Sequence, residues 1–137
     1  MRQYLFFCLT FTLLFDCKPK TNTPFAGMKW VMERIKDQGI KAKEDMRGVF
    51  IVFDDTTRVA RGRAGCNTYF AAYTKGDDGA LSFSSVDATK TACPEMYVEA
   101  IFFKILEDTN NYTLRHDKLY LRKDSETIAV FRPDCRK

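Results

Sequence analysis

The side chains from which chemistry could be built in this 137-residue sequence are five cysteines, one histidine and two Asp-Asp pairs. Cys66, Cys93 and Cys135 lie far apart with no C-x-x-C among them, and His116 is distant from each, so no metal site is expected. Three thiols permit three single pairings, with one left over. The solitary His116 removes most histidine-dependent catalysis. No serine or cysteine has a visible base partner, and no Gly-rich phosphate loop occurs. Asp54-Asp55 and Asp77-Asp78 invite an acid–base or calcium reading. Both fall at expected turns, where aspartate bonds nearby backbone, and neither has EF-hand spacing. The strongest basic cluster is Arg58, Arg61 and Arg63 with Lys41 and Lys43. On a strand Arg61 and Arg63 share one face, opposite Arg58 and Gly62. A solvated strand face explains them better than a patch for anionic lipid headgroups or lipopolysaccharide.

The composition agrees with a non-catalytic domain. Apolar residues make up 45% and charged residues 29%, globular proportions that exclude wholesale disorder and a polytopic membrane protein. The chain has room for one domain of ordinary size. Its 22 Lys+Arg against 18 Asp+Glu leave a net charge of +4, too little alone to argue for nucleic acid. No catalytic residue and no cofactor is assigned.

The front end reads as an export signal, residues 1–16. Behind Arg2, the run Tyr4–Phe15 is apolar and uncharged over twelve residues, short for a membrane span, which needs about 20, but suited to a signal-peptide core. Cys17 follows at once, ahead of the polar, Pro-containing stretch Lys18–Pro24. That arrangement looks like a bacterial lipoprotein cleavage site, in which the thiol is acylated and becomes the first residue. Phe15 and Asp16 stand where the lipoprotein peptidase usually meets small residues. Cys8 is a worse candidate, inside the apolar run. Acyl chains contribute about 0.8 kcal/mol per buried CH₂, so lipidation at Cys17 would anchor the domain stably. Residues 17–27 are expected to be a tether and 28–137 the folded domain. Export also places the remaining cysteines where disulfides persist.

The elements that must position these residues follow from periodicity. Trp30–Ile35 could be a strand or a short helix. Gly48–Phe53 is a β-branched and aromatic run ended by Asp54-Asp55, followed by strands over Thr57–Gly62 and Cys66–Thr74. Lys75–Gly79 is a hairpin loop, and Leu81–Ser84 alternates as a half-buried strand does. After Cys93 the period changes. Pro94 suits the first helical position, and Glu95 and Glu99 favour the N-terminal end of the helix dipole. Nine of the eleven residues from Met96 to Leu106 are apolar, so this helix is expected to be largely buried. A meander completes the chain, with strands at Tyr112–Arg115, Leu119–Arg122 and Thr127–Phe131. Its turns are at His116-Asp117 and Asp124-Ser125. The sum is an α+β fold: a strongly curved antiparallel sheet or cracked barrel of about seven or eight strands on one main helix.

Gly65-Cys66-Asn67, the Tyr-rich strand after it, Leu81-Ser82-Phe83, and then Thr89-Lys90-Thr91-Ala92-Cys93 together resemble the META domain, that of the HslJ-like heat-shock lipoproteins. Glu99, Phe102, Leu106, Tyr112, Leu119, Leu121 and Phe131 fall where that family places its helix and last strands, so the resemblance covers residues 28–132. Thr91 stands where members usually carry Met, and Ala71-Ala72 where glycine is common. The resemblance implies a small α/β or cracked-barrel fold and an envelope protein, and it carries no enzymatic activity over to any residue. It also implies a structural motif at Gly65, Cys66, Asn67, Thr89, Ala92 and Cys93. Within it Cys66 and Cys93 would form one bridge, Gly65 would let the backbone turn, and Asn67 would cap loop backbone.

The expectation is therefore a lipid-anchored, non-enzymatic protein on the periplasmic face of a bacterial envelope membrane. Its role would be binding or maintenance under stress, and no nucleic acid would meet it. An envelope protein or an apolar ligand is the partner to expect. The second is the alternative reading: a pilotin-like or carrier module whose aromatic residues line a cleft between sheet and helix.

Overall fold

The computed structural model describes residues 23–36, 48–94 and 96–134. The expected signal segment with Cys8 and Cys17, the Lys41 and Lys43 part of the basic cluster, Glu95 and Cys135 lie outside them. The elements run β1 (Lys29–Ile35), β2 (Phe50–Asp54), β3 (Val59–Arg63), β4 (Thr68–Lys75), β5 (Leu81–Ala88), α1 (Met96–Asp108), β6 (Asn111–Arg115), β7 (Lys118–Lys123) and β8 (Glu126–Pro133). All eight strands form one antiparallel sheet in the order β5-β4-β3-β2-β1-β8-β7-β6.

Alternation decides which side each strand buries. Trp30 and Met32, Ile51 and Phe53, Tyr69, Ala71 and Tyr73, Leu119 and Leu121 all point inward and are buried, while their chain neighbours face out. The sheet curves, and several of the inward residues on β3 and β4 are small: Ala60 and Gly62 on β3, Ala71 on β4. Gly62 stands between Ile51 and Tyr69 in the register. A Cβ there would overlap the Phe50 carbonyl, so the close approach of β2 and β3 requires glycine. This curvature brings the two sheet edges together at one end. Ala80 bridges Asn111, and the Tyr112 N–H donates to the Gly79 carbonyl at 2.8 Å. Beyond that bridge the edges part and the sheet stays open.

Helix α1 occupies the opening, packed against β5 on one side and β7 on the other. Val98, Phe102, Ile105 and Leu106 form its buried stripe, with the Phe102 ring 5.1 Å from that of Tyr69. The helix is less buried than its apolar content leads one to expect: Met96 is 49% and Tyr97 46% exposed. A helix touching a sheet on one side covers only a stripe of about 100°, so the outermost apolar positions stay wet.

The opposite end of the interior is closed by Phe25, whose ring lies 4.1 Å from Phe53 and 4.8 Å from Tyr112. The Trp30 indole N–H donates to the Phe25 carbonyl at 2.9 Å, a partner that a buried tryptophan needs. Phe25 falls within the stretch expected to be tether, yet it belongs to the core. The folded unit thus begins earlier than residue 28, because a large ring is required to fill that mouth.

Candidate functional site

The Gly65-Cys66-Asn67 turn joins β3 to β4. Its backbone reverses through a bond from the Ala64 N–H to the Asn67 carbonyl at 2.9 Å. Gly65 has φ 125°, a conformation that L side chains rarely adopt, which is why glycine opens the motif. The turn delivers Cys66 beside Cys93, which precedes α1. Their sulfurs lie at disulfide distance, with Cα atoms 6.2 Å apart and a sequence separation of 27.

Asn67 is the hub of this corner and is 2% exposed. Its Nδ2 donates to the Thr91 carbonyl and to Glu99 Oε1, each at 3.0 Å. Its Oδ1 accepts from the Thr89 hydroxyl at 2.7 Å and from the Thr91 N–H at 2.8 Å. The Asn67 backbone N–H donates to Glu99 Oε2 at 3.0 Å. Both ends of the amide are saturated, and both oxygens of a buried carboxylate are held. A single side chain ties the β3–β4 turn, the segment after β5 and the first turn of α1. Asparagine alone among short side chains offers two donors and an acceptor at this reach.

The expected motif residues are thereby sorted. Gly65, Cys66, Asn67, Thr89 and Cys93 converge, whereas Ala92 is exposed and the corner makes no use of its side chain. Thr91 enters only through backbone N–H and carbonyl, so its exposed side chain is free to differ from methionine. Asn67 does more than cap a loop, since it also binds the helix. Glu99 goes beyond its expected part at the helix dipole. An acid next to Val98 and four residues before Phe103, on an apolar stripe, is the signal that a buried partner awaits it.

The other candidates resolve into local structure. Asp54 Oδ1 accepts from the Thr56 and Thr57 N–H groups at 2.9 and 3.2 Å. Those two bonds, the Thr57 one foremost, hold its carboxyl below the ordinary range. Asp55 accepts from the Tyr73 hydroxyl at 2.7 Å and faces Arg58 at 3.5 Å. Asp78 accepts from the Ala80 N–H at 3.0 Å. His116 and Asp117, with φ 50° and 55°, are the two central residues of the tight β6–β7 turn, and the histidine is exposed. Arg61 and Arg63 share the exposed face of β3 while Gly62 is buried, and Arg58 lies in the preceding loop. Among the described residues, no group of three His, Cys, Asp or Glu is placed to hold a metal ion.

The aromatic residues Tyr69 and Phe102, which might have lined a cleft between sheet and helix, fill that space as core instead, buried together with Ile105, Leu106, Leu119 and Leu121. Grooves open elsewhere. One of 380 Å³ lies along the end of β1 and the start of β8, and one of 220 Å³ lies on the outer face of β6–β8.

Two solved structures share the architecture. A protein from Burkholderia xenovorans, determined by NMR, is 20% identical with a TM-score of 0.59, over 81% of this chain and 84% of that one. A DUF4847 family protein from Bacteroides vulgatus, determined by crystallography, is 16% identical with a TM-score of 0.60, over 82% of this chain and 96% of that one. At such identities the likeness speaks for the fold alone. No curated protein matches the chain. The family comparison reaches further, because the META domain matches residues 23–134, from just before Phe25 to the residue after β8. With Cys66 and Cys93 at disulfide distance across the Gly-Cys-Asn corner and an open, curved sheet packed on one helix, the chain belongs to the META domain family.

Proposed function

We propose that this META-domain protein is a non-enzymatic, lipid-anchored component of the bacterial cell envelope. It is exported behind residues 1–16, held to the periplasmic face of a membrane through Cys17, and serves binding or maintenance under stress. The observation that carries the reading is the cysteine pair at disulfide distance beside a saturated asparagine hub. Disulfides persist in oxidising compartments, so the pair supports export. The corner uses its polar side chains on one another, which favours a fastening role over catalysis. The exposed turn position of His116 supports the same view. The stress role rests on the likeness to HslJ-like lipoproteins. The carrier alternative has less support, given the filled interface between sheet and helix.

Metabolic labelling with palmitate tests the anchoring. Label is expected on the wild-type chain, with recovery in the membrane fraction, and both should disappear in Cys17→Ser. Equal labelling of the variant, or none of the wild type, refutes the anchor. Free thiols counted in protein taken from the periplasm test the export: three reactive thiols among Cys66, Cys93 and Cys135 would refute it.

A further inference from the structure

The outer face of β6, β7 and β8 carries a second, separate arrangement. The register pairs Thr113 with Tyr120, Asn111 with Arg122 and Arg122 with Thr127. Thr113, Arg115, Tyr120, Arg122 and Thr127 therefore line one open groove of 220 Å³. Arg115 and Arg122 stand at its two ends, about four positions or roughly 13 Å apart along the strands, with the hydroxyl side chains between them. No carboxylate lines it. The acids nearest in the sheet are taken up elsewhere: Glu33 by Lys118 at 2.7 Å, Glu126 by Lys36, and Asp124 by the Asn110 amide at 2.7 Å.

Arg122 is incompletely satisfied. One Nη donates to the Ser125 carbonyl at 2.5 Å, but its Nε is buried with no hydrogen-bond partner. A guanidinium presents donors in a fork that fits carboxylate and phosphate oxygens, and a buried cationic N–H without an acceptor is costly. Neither Arg115 nor the Tyr120 hydroxyl has a hydrogen-bond or ion-pair partner among the described residues. Cationic forks at both ends with hydroxyl donors between them suit a tetrahedral anion taking bonds from several directions better than a planar one. The volume is below the roughly 300–1,000 Å³ typical of whole small-molecule sites, so a single headgroup or free ion fits.

We propose that this groove binds a phosphate group, with Arg115 and Arg122 as its cationic clamps and Thr113, Tyr120 and Thr127 as hydroxyl donors. The phosphate is a free one or that of a lipid headgroup. The proposal is independent of the disulfide corner and of the anchoring at Cys17.

The full chain carrying Cys17→Ser, so that no acyl chain contributes, is titrated with inorganic phosphate at constant ionic strength while the arginine Nε–H resonances are followed by NMR. The Arg115 and Arg122 signals should move and those of Arg61 and Arg63 should not. R115Q and R122Q should each weaken binding about tenfold or more, and R61Q should leave it unchanged. Thr113→Val and Tyr120→Phe provide milder variants, and the spectrum itself reports whether each is folded. A second arm compares vesicles of phosphatidylglycerol in phosphatidylcholine with phosphatidylcholine alone. Capture by the anionic vesicles that depends on Arg115 and Arg122 identifies a headgroup, and a response to inorganic phosphate only identifies the free ion. Signals that move with neither probe, or binding undiminished in the double variant R115Q/R122Q, overturn the proposal.

Discussion

Replacing Asn67 by alanine removes four side-chain hydrogen bonds at once, and their sites decide the cost. Thr89 and Thr91 are exposed, so water recovers part of what their groups lose. Glu99 is 8% exposed, and its Oε1 loses its partner where water enters poorly. Taking about 1 kcal/mol for each neutral bond and about 2 kcal/mol for the charged one, less the recovery by water, the expected loss is about 3–4 kcal/mol. Against a typical domain stability of about 5–15 kcal/mol that is a large fraction. For a domain of this size it lowers Tm by roughly 12–16 °C. Urea and thermal unfolding of the oxidised protein measure it, with Trp30 as the probe, since it is the only tryptophan and is fully buried. A double-mutant cycle with Glu99→Gln should show a coupling of about 1–2 kcal/mol. A loss below about 1 kcal/mol for Asn67→Ala, or strict additivity with Glu99→Gln, refutes the view that this side chain fastens turn, segment and helix together.

Three further outcomes are expected. Removing the Cys66–Cys93 bridge by double serine substitution should cost about 3.5 kcal/mol by chain-entropy reasoning for a loop of this length, and urea midpoints of the two proteins measure it. Unchanged midpoints would mean that the pair stays reduced. Gly62→Ala should destabilise by about 2–3 kcal/mol, because the new Cβ meets the β2 backbone and not a movable side chain; a loss within a few tenths would mean that the strands part freely. Burial raises the Tyr69 and Tyr73 hydroxyls above the ordinary tyrosine range, with Asp55 adding to the effect at Tyr73. The folded state thus holds their protons more tightly than the unfolded chain does. The stability they contribute is full below pH of about 10 and is lost as pH rises beyond it. Ultraviolet titration should show Tyr69 and Tyr73 ionising only on alkaline unfolding, and a single step for every tyrosine near pH of about 10 would contradict this.

Much of the fold is legible along the chain, and the reason is periodicity. The strands β2, β3, β4 and the closing meander fall close to their expected places because alternation and turn residues are local signals. Trp30–Ile35, ambiguous on period alone, becomes a strand because β2 and β8 pair with it on both sides. β5 runs four residues beyond Ser84, past a bulge at which Ser85 has φ 50°. Its exposed pattern carries no apolar alternation there, and the ladder with β4 extends it nonetheless. The cysteine motif was visible as spacing. Its use of Asn67 as a three-way tie was not, because hydrogen bonds spanning more than twenty residues leave no periodic trace.

By itself the sequence determined the local choices: where the chain alternates, where it turns, that one helix interrupts about seven or eight strands, and that Cys66 and Cys93 flank a common element. Those follow from backbone sterics and side-chain period, which act over a few neighbours. Tertiary structure alone decided what closes the two mouths of the curved sheet. Phe25 left its polar surroundings in sequence to fill one, and Glu99 entered an apolar stripe at the other because Asn67 awaited it. Burial and hydrogen-bond satisfaction are properties of an enclosed volume. They exist only once distant segments share it, so the linear order shows at most an acid among apolar residues at Glu99, and neither its partner nor the place that Phe25 fills.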